Sequence, residues 1–308
     1  MRILVTGSRG KVGRAVVRVL QGAGHAVTGT DLGPPDWDRQ PEGTPPYLVA
    51  DHTDAGQVYA LVGGVTEGEN AKTGPYDAVV HCGALPAPGR HAPHVVFGNN
   101  LMATFNVVEA CVRWRVSRLV NISSGTATGF PFAERAFAPA YLPVDEDHPV
   151  LPQDPYGLSK ALGEQICEAA VRRSDLRCVS LRPTWVHDVD SYARNLGPVV
   201  ADRSARSITG WTYVDADDLA DAARLAAECD LAGHEVFYVA APDTIGGRDL
   251  HASWREAYPD SPTQLRQVAR PDASGISTAK LERLLGWRAK RSWRDHLTEA
   301  GELLPRTR

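Results

Sequence analysis

Ile3-Leu4-Val5-Thr6-Gly7-Ser8-Arg9-Gly10-Lys11-Val12-Gly13 is the stretch from which the fold is read. Ile3 to Val5 is a short apolar run of the kind found in a buried strand. A TGxxGxxG loop follows at once. Val12, Ala15, Val16, Val19 and Leu20 then recur at i, i+3, i+4, i+7 and i+8, one apolar face of a helix. Glycines between a strand and a helix let the backbone turn tightly and approach a pyrophosphate, while the helix N-terminus supplies N–H donors. Asp31, at the end of the next strand, stands where an acid would accept hydrogen bonds from an adenosine ribose. The pattern is not a P-loop, because Val12 rather than Ser or Thr follows Lys11. It points to a dinucleotide. NAD is favoured over NADP, whose 2′-phosphate Asp31 would repel, although Arg9, Lys11 and Arg14 are cations that could tolerate that phosphate.

Strand candidates recur at 47–50, 78–82, 119–122 and 178–181, with helical stretches at about 55–62, 99–114 and 156–172. The segment 33–46 reads as a loop rich in proline. Strands alternating with helices imply an α/β fold, a Rossmann-type doubly wound parallel sheet. After Arg182 the alternation weakens. A helix at about 216–229, a strand at 236–239 and short helices between 281 and 297 suggest a smaller C-terminal substrate lobe. The expected division is therefore 1–182, a NAD-binding domain with the catalytic residues, and 183–308, mainly the lobe but partly returning to the sheet. Trp287 and Trp293 are expected in the lobe's core.

Composition bounds the function. The chain has 308 residues, 43% hydrophobic and 23% charged, within the globular range. Lys+Arg 33 against Asp+Glu 37 gives a net charge of −4 with no basic run, so nucleic acid is not an expected partner. Neither a signal peptide nor a membrane span is expected. Five cysteines without a CxxC pair suit a reducing compartment, and a cytoplasmic location is expected. No metal site is expected. His91 and His94 have HxxH spacing without further ligands, and Cys82 reads as a packed side chain rather than a nucleophile.

Asp154-Pro155-Tyr156-Gly157-Leu158-Ser159-Lys160 reads as a helix start, with Asp154 as N-cap and Pro155 at N1. Tyr156 and Lys160 then share a face, and an ammonium beside a phenol lowers its pKa toward the working range of an acid/base. Upstream, Leu119 to Ile122 runs into Ser123-Ser124, placing a hydroxyl at the end of a parallel strand, where such sheets bind ligands.

Together these motifs resemble the extended short-chain dehydrogenase/reductases, the NAD-dependent epimerase/dehydratase group. Further matching segments are Asp51, His81-Cys82-Gly83-Ala84, Asn100 to Val107, Arg182-Pro183, Tyr213-Val214-Asp215 and Leu285-Gly286-Trp287. The resemblance implies that Gly7, Gly10, Lys11, Val12 and Gly13 cradle the pyrophosphate, Asp31 holds the ribose, and Asp51 and His52 border the adenine. It implies that Cys82, Gly83, Ala84 and Asn100 line the middle of the cofactor, and that Lys160 and Thr184 serve its nicotinamide end. Tyr156 would be the acid/base. Ser124, with Thr126 beside it, would hold the substrate oxygen. Members often dimerise through the helices corresponding to 100–114 and 156–172, so a homodimer is expected.

The chain departs from the group in having HCGA for HxAA and Thr128 before Gly129. Only 27 positions separate Val186 from Tyr213, where the nucleotide-sugar epimerases carry a longer insert. Asp31 to Asp36 and the segment Tyr192 to Leu196 are similar instead to the uronate dehydrogenase branch, which oxidises free hexuronates with NAD. Arg194 lies where that branch has an arginine for the substrate carboxylate, and Trp211 resembles an aromatic found there. Arg90, His187 and Asp188 are further residues that could touch substrate. The reading is a NAD-dependent dehydrogenase acting on a small sugar-like or sugar-acid substrate, with a sugar epimerase or dehydratase holding its NAD tightly as the alternative.

Overall fold

The structure is a computed structural model that describes residues 1–33, 45–64 and 75–305. Pro34, Pro35 and Asp36, and most of the loop expected at 33–46, lie outside the described residues. The strands are β1 (Arg2–Thr6), β2 (Ala26–Asp31), β3 (Tyr47–Val49), β4 (Ala78–His81), β5 (Arg118–Ile122), β6 (Tyr141–Leu142), β7 (Arg177–Pro183), β8 (Trp185–His187), β9 (Tyr213–Asp215), β10 (His234–Val239) and β11 (Gln264–Leu265). The helices are α1 (Lys11–Gly22), α2 (Ala55–Val62), α3 (Pro93–Arg113), α4 (Pro155–Arg172), α5 (Gly197–Ala201), α6 (Ala216–Glu228), α7 (Leu250–Ala257) and α8 (Ala279–Leu285).

Seven strands form one parallel sheet in the order β10-β7-β5-β4-β1-β2-β3. The order reverses beside β1, and in such sheets that switch point, at the strands' C-terminal ends, is where ligands bind. Both faces are covered, which is why the strands are apolar without alternation. On one face α1 and α6 pack with Val5, Val80 and Val120; on the other, α2, α3 and α4 cover Leu4, Val79 and Leu119. A third cluster, around Trp211, Trp254, Tyr213 and Leu250, also takes in Phe130, Leu142 and Val144 from before residue 182.

α3 begins at Pro93, six residues before the expected start, because proline at N1 already fits a helix entry. At 21 residues with a mean hydropathy of 1.3 it is long and apolar enough to cross a membrane, yet half of that window is buried in this fold. β8 and β9 pair as a separate two-stranded ribbon that the sequence reading did not identify. The last third divides its elements. β10 is the edge strand of the main sheet, and α6 lies against α1. Trp293 packs in the third cluster, but Trp287 does not. Its ring packs in the sheet-side cluster, where its indole N–H donates to the Asp218 carbonyl at 3.0 Å. Leu285 and Ala289 beside it share that apolar surface.

Candidate active site

The glycine loop is a backbone cradle with no room for side chains. Gly7 has φ +63°, and a Cβ there would stand 2.6 Å from Gly83 Cα. A Cβ on Gly13 would fall 2.1 Å from the Gly7 carbonyl oxygen. Gly10 closes the turn through its N–H on Gly7 O at 3.0 Å and is the N-cap of α1, whose second residue is Val12. Gly83 thus lies directly against the loop, and Cys82 and Ala84 flank it. Burial raises the Cys82 thiol to about 12, so it is no thiolate nucleophile.

Asp31 is fixed by two backbone donors, Arg9 N at 3.1 Å and Leu32 N at 2.9 Å. It lines an open depression with Ser8, Arg9, Gly10 and Arg14. Two of the cations weighed against it line the same depression, each with one bond to backbone: Arg9 to Gly33 O at 3.1 Å and Arg14 to Arg9 O at 3.0 Å. His52 is buried, its Nδ1 2.9 Å from where a Gly83 Cβ would stand. Asp51 holds its own turn, accepting from the Thr53 N–H and hydroxyl at 2.8 Å. Asn100 clamps the loop after β4 by a pair of bonds to Leu85, at 2.8 and 3.0 Å.

Lys11 is placed differently from a simple pyrophosphate ligand. Its ammonium donates to Ser191 Oγ at 2.9 Å and Val186 O at 3.2 Å, and lies 3.6 Å from Asp188. It therefore ties the glycine loop to the segment after β8. Beside it His187 is fully buried, with neither ring nitrogen bonded among the described residues; burial and the Lys11 charge lower its pKa to about 3.

α4 starts as expected. Asp154 Oδ1 caps Tyr156 N at 3.0 Å and Gly157 N at 2.9 Å, a cap worth about 1 kcal/mol. Tyr156 is buried, with the Ser124 side chain near enough to its hydroxyl to favour the phenolate. Ser124 Oγ in turn accepts from Thr126 N at 3.2 Å and Thr126 Oγ1 at 2.9 Å. The expected lowering of the phenol by Lys160 is not found. Burial raises Tyr156 to about 12, opposed by Ser124 and reinforced by Asp154. The lysine ammonium is turned to Ile122 O at 2.7 Å and stands 5.8 Å from the phenol ring's centroid. Burial lowers Lys160 itself to about 8. Tyr156 accordingly carries its proton at neutral pH.

Glu164, one turn beyond Lys160, was not singled out in the sequence. It holds Arg182 of β7 by two bonds of 2.8 and 2.7 Å and accepts from Ser123 Oγ at 2.5 Å. Its i+4 spacing from Lys160 was the available signal. Thr184 lies just past β7, its N–H on Val239 O at 3.1 Å and its buried hydroxyl without a partner among the described residues. Arg194 is exposed in the π-helical turn Tyr192–Leu196. The glycine cradle, the anchored Asp31 and the unpartnered Thr184 hydroxyl suit a dinucleotide laid across the strand ends from Asp31 toward Tyr156.

A family model described as the NAD dependent epimerase/dehydratase family matches residues 3–240, most of the chain. The chain belongs to this family. Its members are NAD-dependent enzymes, dehydrogenases and epimerases among them. A uronate dehydrogenase from Pseudomonas putida is 28% identical over 183 residues, 59% of each chain. A UDP-glucose 4-epimerase from Azospirillum brasilense is 30% identical over 196 residues, 63% of this chain and 51% of that one. The chain thus spans about half to three fifths of these relatives' lengths. A solved short-chain dehydrogenase/reductase superfamily protein from Agrobacterium tumefaciens, with bound NAD, is 25% identical with a TM-score of 0.71. That match covers 98% of this chain and 96% of the other.

Proposed function

We propose that the protein is a NAD-dependent oxidoreductase acting on a hydroxyl or carbonyl of a small sugar-like or sugar-acid substrate. The observation that carries the reading is the buried Tyr156 near Ser124, on a helix whose Lys160 reaches Ile122 O at the end of β5, in the same sheet whose β1 ends in the glycine cradle. NAD supplies the hydride acceptor and its reduced form the donor. Ser124 orients the substrate oxygen, and Tyr156 exchanges its proton with that oxygen: it gives the proton when a carbonyl is reduced, and takes one when a hydroxyl is oxidised only after its own proton has passed to solvent, so oxidation is expected to quicken as pH rises. Lys160 holds the nicotinamide ribose from the same helix face. A free sugar rather than a nucleotide sugar is favoured by the short connection between β8 and β9, which holds a single turn and the five-residue α5. A sugar epimerase or dehydratase is the second reading, favoured by the resemblance to UDP-glucose 4-epimerase. Incubation with NAD and a panel of sugars, sugar acids and ketones separates them: stoichiometric NADH supports the first, and product without net NADH supports the second.

NAD is expected to bind about 10- to 150-fold more tightly than NADP, a coupling of about 1–3 kcal/mol from Asp31 against the 2′-phosphate. Calorimetric titration checks this, and equal affinities would count against Asp31.

Arg194 is proposed to hold the substrate carboxylate. Support comes from its neighbour Ser191, tied through Lys11 to the glycine loop, and from its exposed guanidinium in the adjoining turn. Arg194→Met is expected to weaken an acidic substrate by about 1.5–3 kcal/mol and leave a neutral sugar unaffected. Specificity constants for a hexuronate and its parent hexose measure the difference.

A homodimer through α3 and α4 is proposed as well. Met102 and Phe105 on α3 and Leu158 on α4 are more than a third exposed, apolar surface that a second copy would cover. Light scattering is expected to give twice the 33.3 kDa chain mass, and Phe105→Asp to return it to one.

A further inference from the structure

We propose that the indole of Trp185 is the platform on which the C–H face of the sugar ring lies. The proposal rests on the oxidoreductase reading and adds the contact that selects its substrate. Six tryptophans are described. Trp211, Trp254, Trp287 and Trp293 are between 1% and 3% exposed, and Trp114 donates its indole N–H to Tyr59 O. Trp185 is 49% exposed, and its N–H meets no acceptor among the described residues.

Its position comes from its neighbours. Thr184, just before it, is bonded to Val239 at the C-terminal edge of the sheet. The Pro183 carbonyl oxygen lies 3.3 Å from where a Gly125 Cβ would stand, so the end of β7 abuts the Ser124 loop. On the other side, Val186 gives its carbonyl to Lys11 of the glycine loop. Trp185 therefore follows the point where β7 meets the catalytic serine loop and precedes the residue that meets the cofactor cradle. Its ring stands edge-on to His187, with centroids 4.6 Å apart, and His187 is packed in turn against Tyr192 at 5.6 Å. The buried histidine gives the indole a rigid backing, so little side-chain freedom is lost when a ligand covers it.

A single exposed apolar side chain is ordinary on a protein surface. This one is large and flat, with a free donor at its edge, at the strand ends where ligands bind. A pyranose matches it chemically: one face presents C–H groups to the ring, and the rim presents hydroxyls to the N–H. A nicotinamide ring is the competing occupant.

The test uses the full chain with NAD, then D-glucuronate or D-glucose. The sugar is expected to quench a component of tryptophan emission that Trp185→Phe lacks. Trp185→Ala is expected to raise the sugar KM by about 10-fold with kcat and NAD affinity unchanged, and Trp185→Phe to stay near wild type. Unaltered melting temperatures establish that both variants fold. Turnover with an unchanged KM in Trp185→Ala overturns the platform and leaves the oxidoreductase reading standing. A loss that falls on NAD affinity overturns it in favour of the nicotinamide. Sugar-dependent quenching without net NADH keeps the platform and overturns the oxidoreductase reading.

Discussion

Tyr156→Phe is expected to lower turnover by roughly 10²–10⁴-fold, the scale of a lost general acid/base. The substitution removes the phenol proton proposed for transfer and keeps the buried ring. NAD affinity is expected to stay within about two-fold, because the cradle at Gly7, Gly13 and Gly83 involves backbone alone. Single-turnover kinetics beside cofactor titration measure both quantities. Near-normal turnover would remove the proton-transfer role. The phenol near 12 holds its proton ready at neutral pH, whereas Lys160, lowered to about 8, turns its ammonium to Ile122 O.

Glu164→Gln is expected to cost about 3–5 kcal/mol of stability, because it leaves the Arg182 guanidinium buried without its counter-charge. The side chains of this pair are only 5% and 9% exposed, so solvent does little to screen the loss. Denaturant unfolding measures it. A second substitution, Arg182→Met, is expected to recover part of the loss by removing the orphaned charge; failure to recover would show that the ion pair is not the source. The pair matters to the site because it joins α4, which carries Tyr156 and Lys160, to β7 and through Ser123 to the end of β5.

The parallel sheet was legible because its signals are local. A glycine loop between an apolar run and an amphipathic helix, and an Asp-Pro cap ahead of Tyr156, each fix backbone geometry within a few residues. The β8–β9 ribbon was not legible: three residues on each strand are too few for a periodicity, and their pairing spans the whole lobe connection. Trp287 was misplaced for a related reason. Apolarity says that a side chain is buried, not which of two cores receives it. The candidate residues were read by type and spacing, but the protonation of Tyr156 depends on burial and on where Lys160 turns its ammonium. A helical i, i+4 pair says only that the two share a face. Lys11 shows the same limit, since its partners at 186, 188 and 191 are distant in sequence.

β10 bears on how the molecule comes apart. The strand arrives from beyond residue 230 and completes the sheet beside β7, while α6 from the same third covers the face shared with α1. A chain cut after residue 182 would leave β7 as a bare edge and expose Val5, Val80, Val120 and Val179, now packed with the alanines of α6. The two halves are thus expected to share one cooperative melting transition, and limited proteolysis is expected to release no stable N-terminal fragment. Residues 216–239 would then govern when the first strands become covered, which places the aggregation risk on a ribosome-bound chain whose sheet is still missing β10.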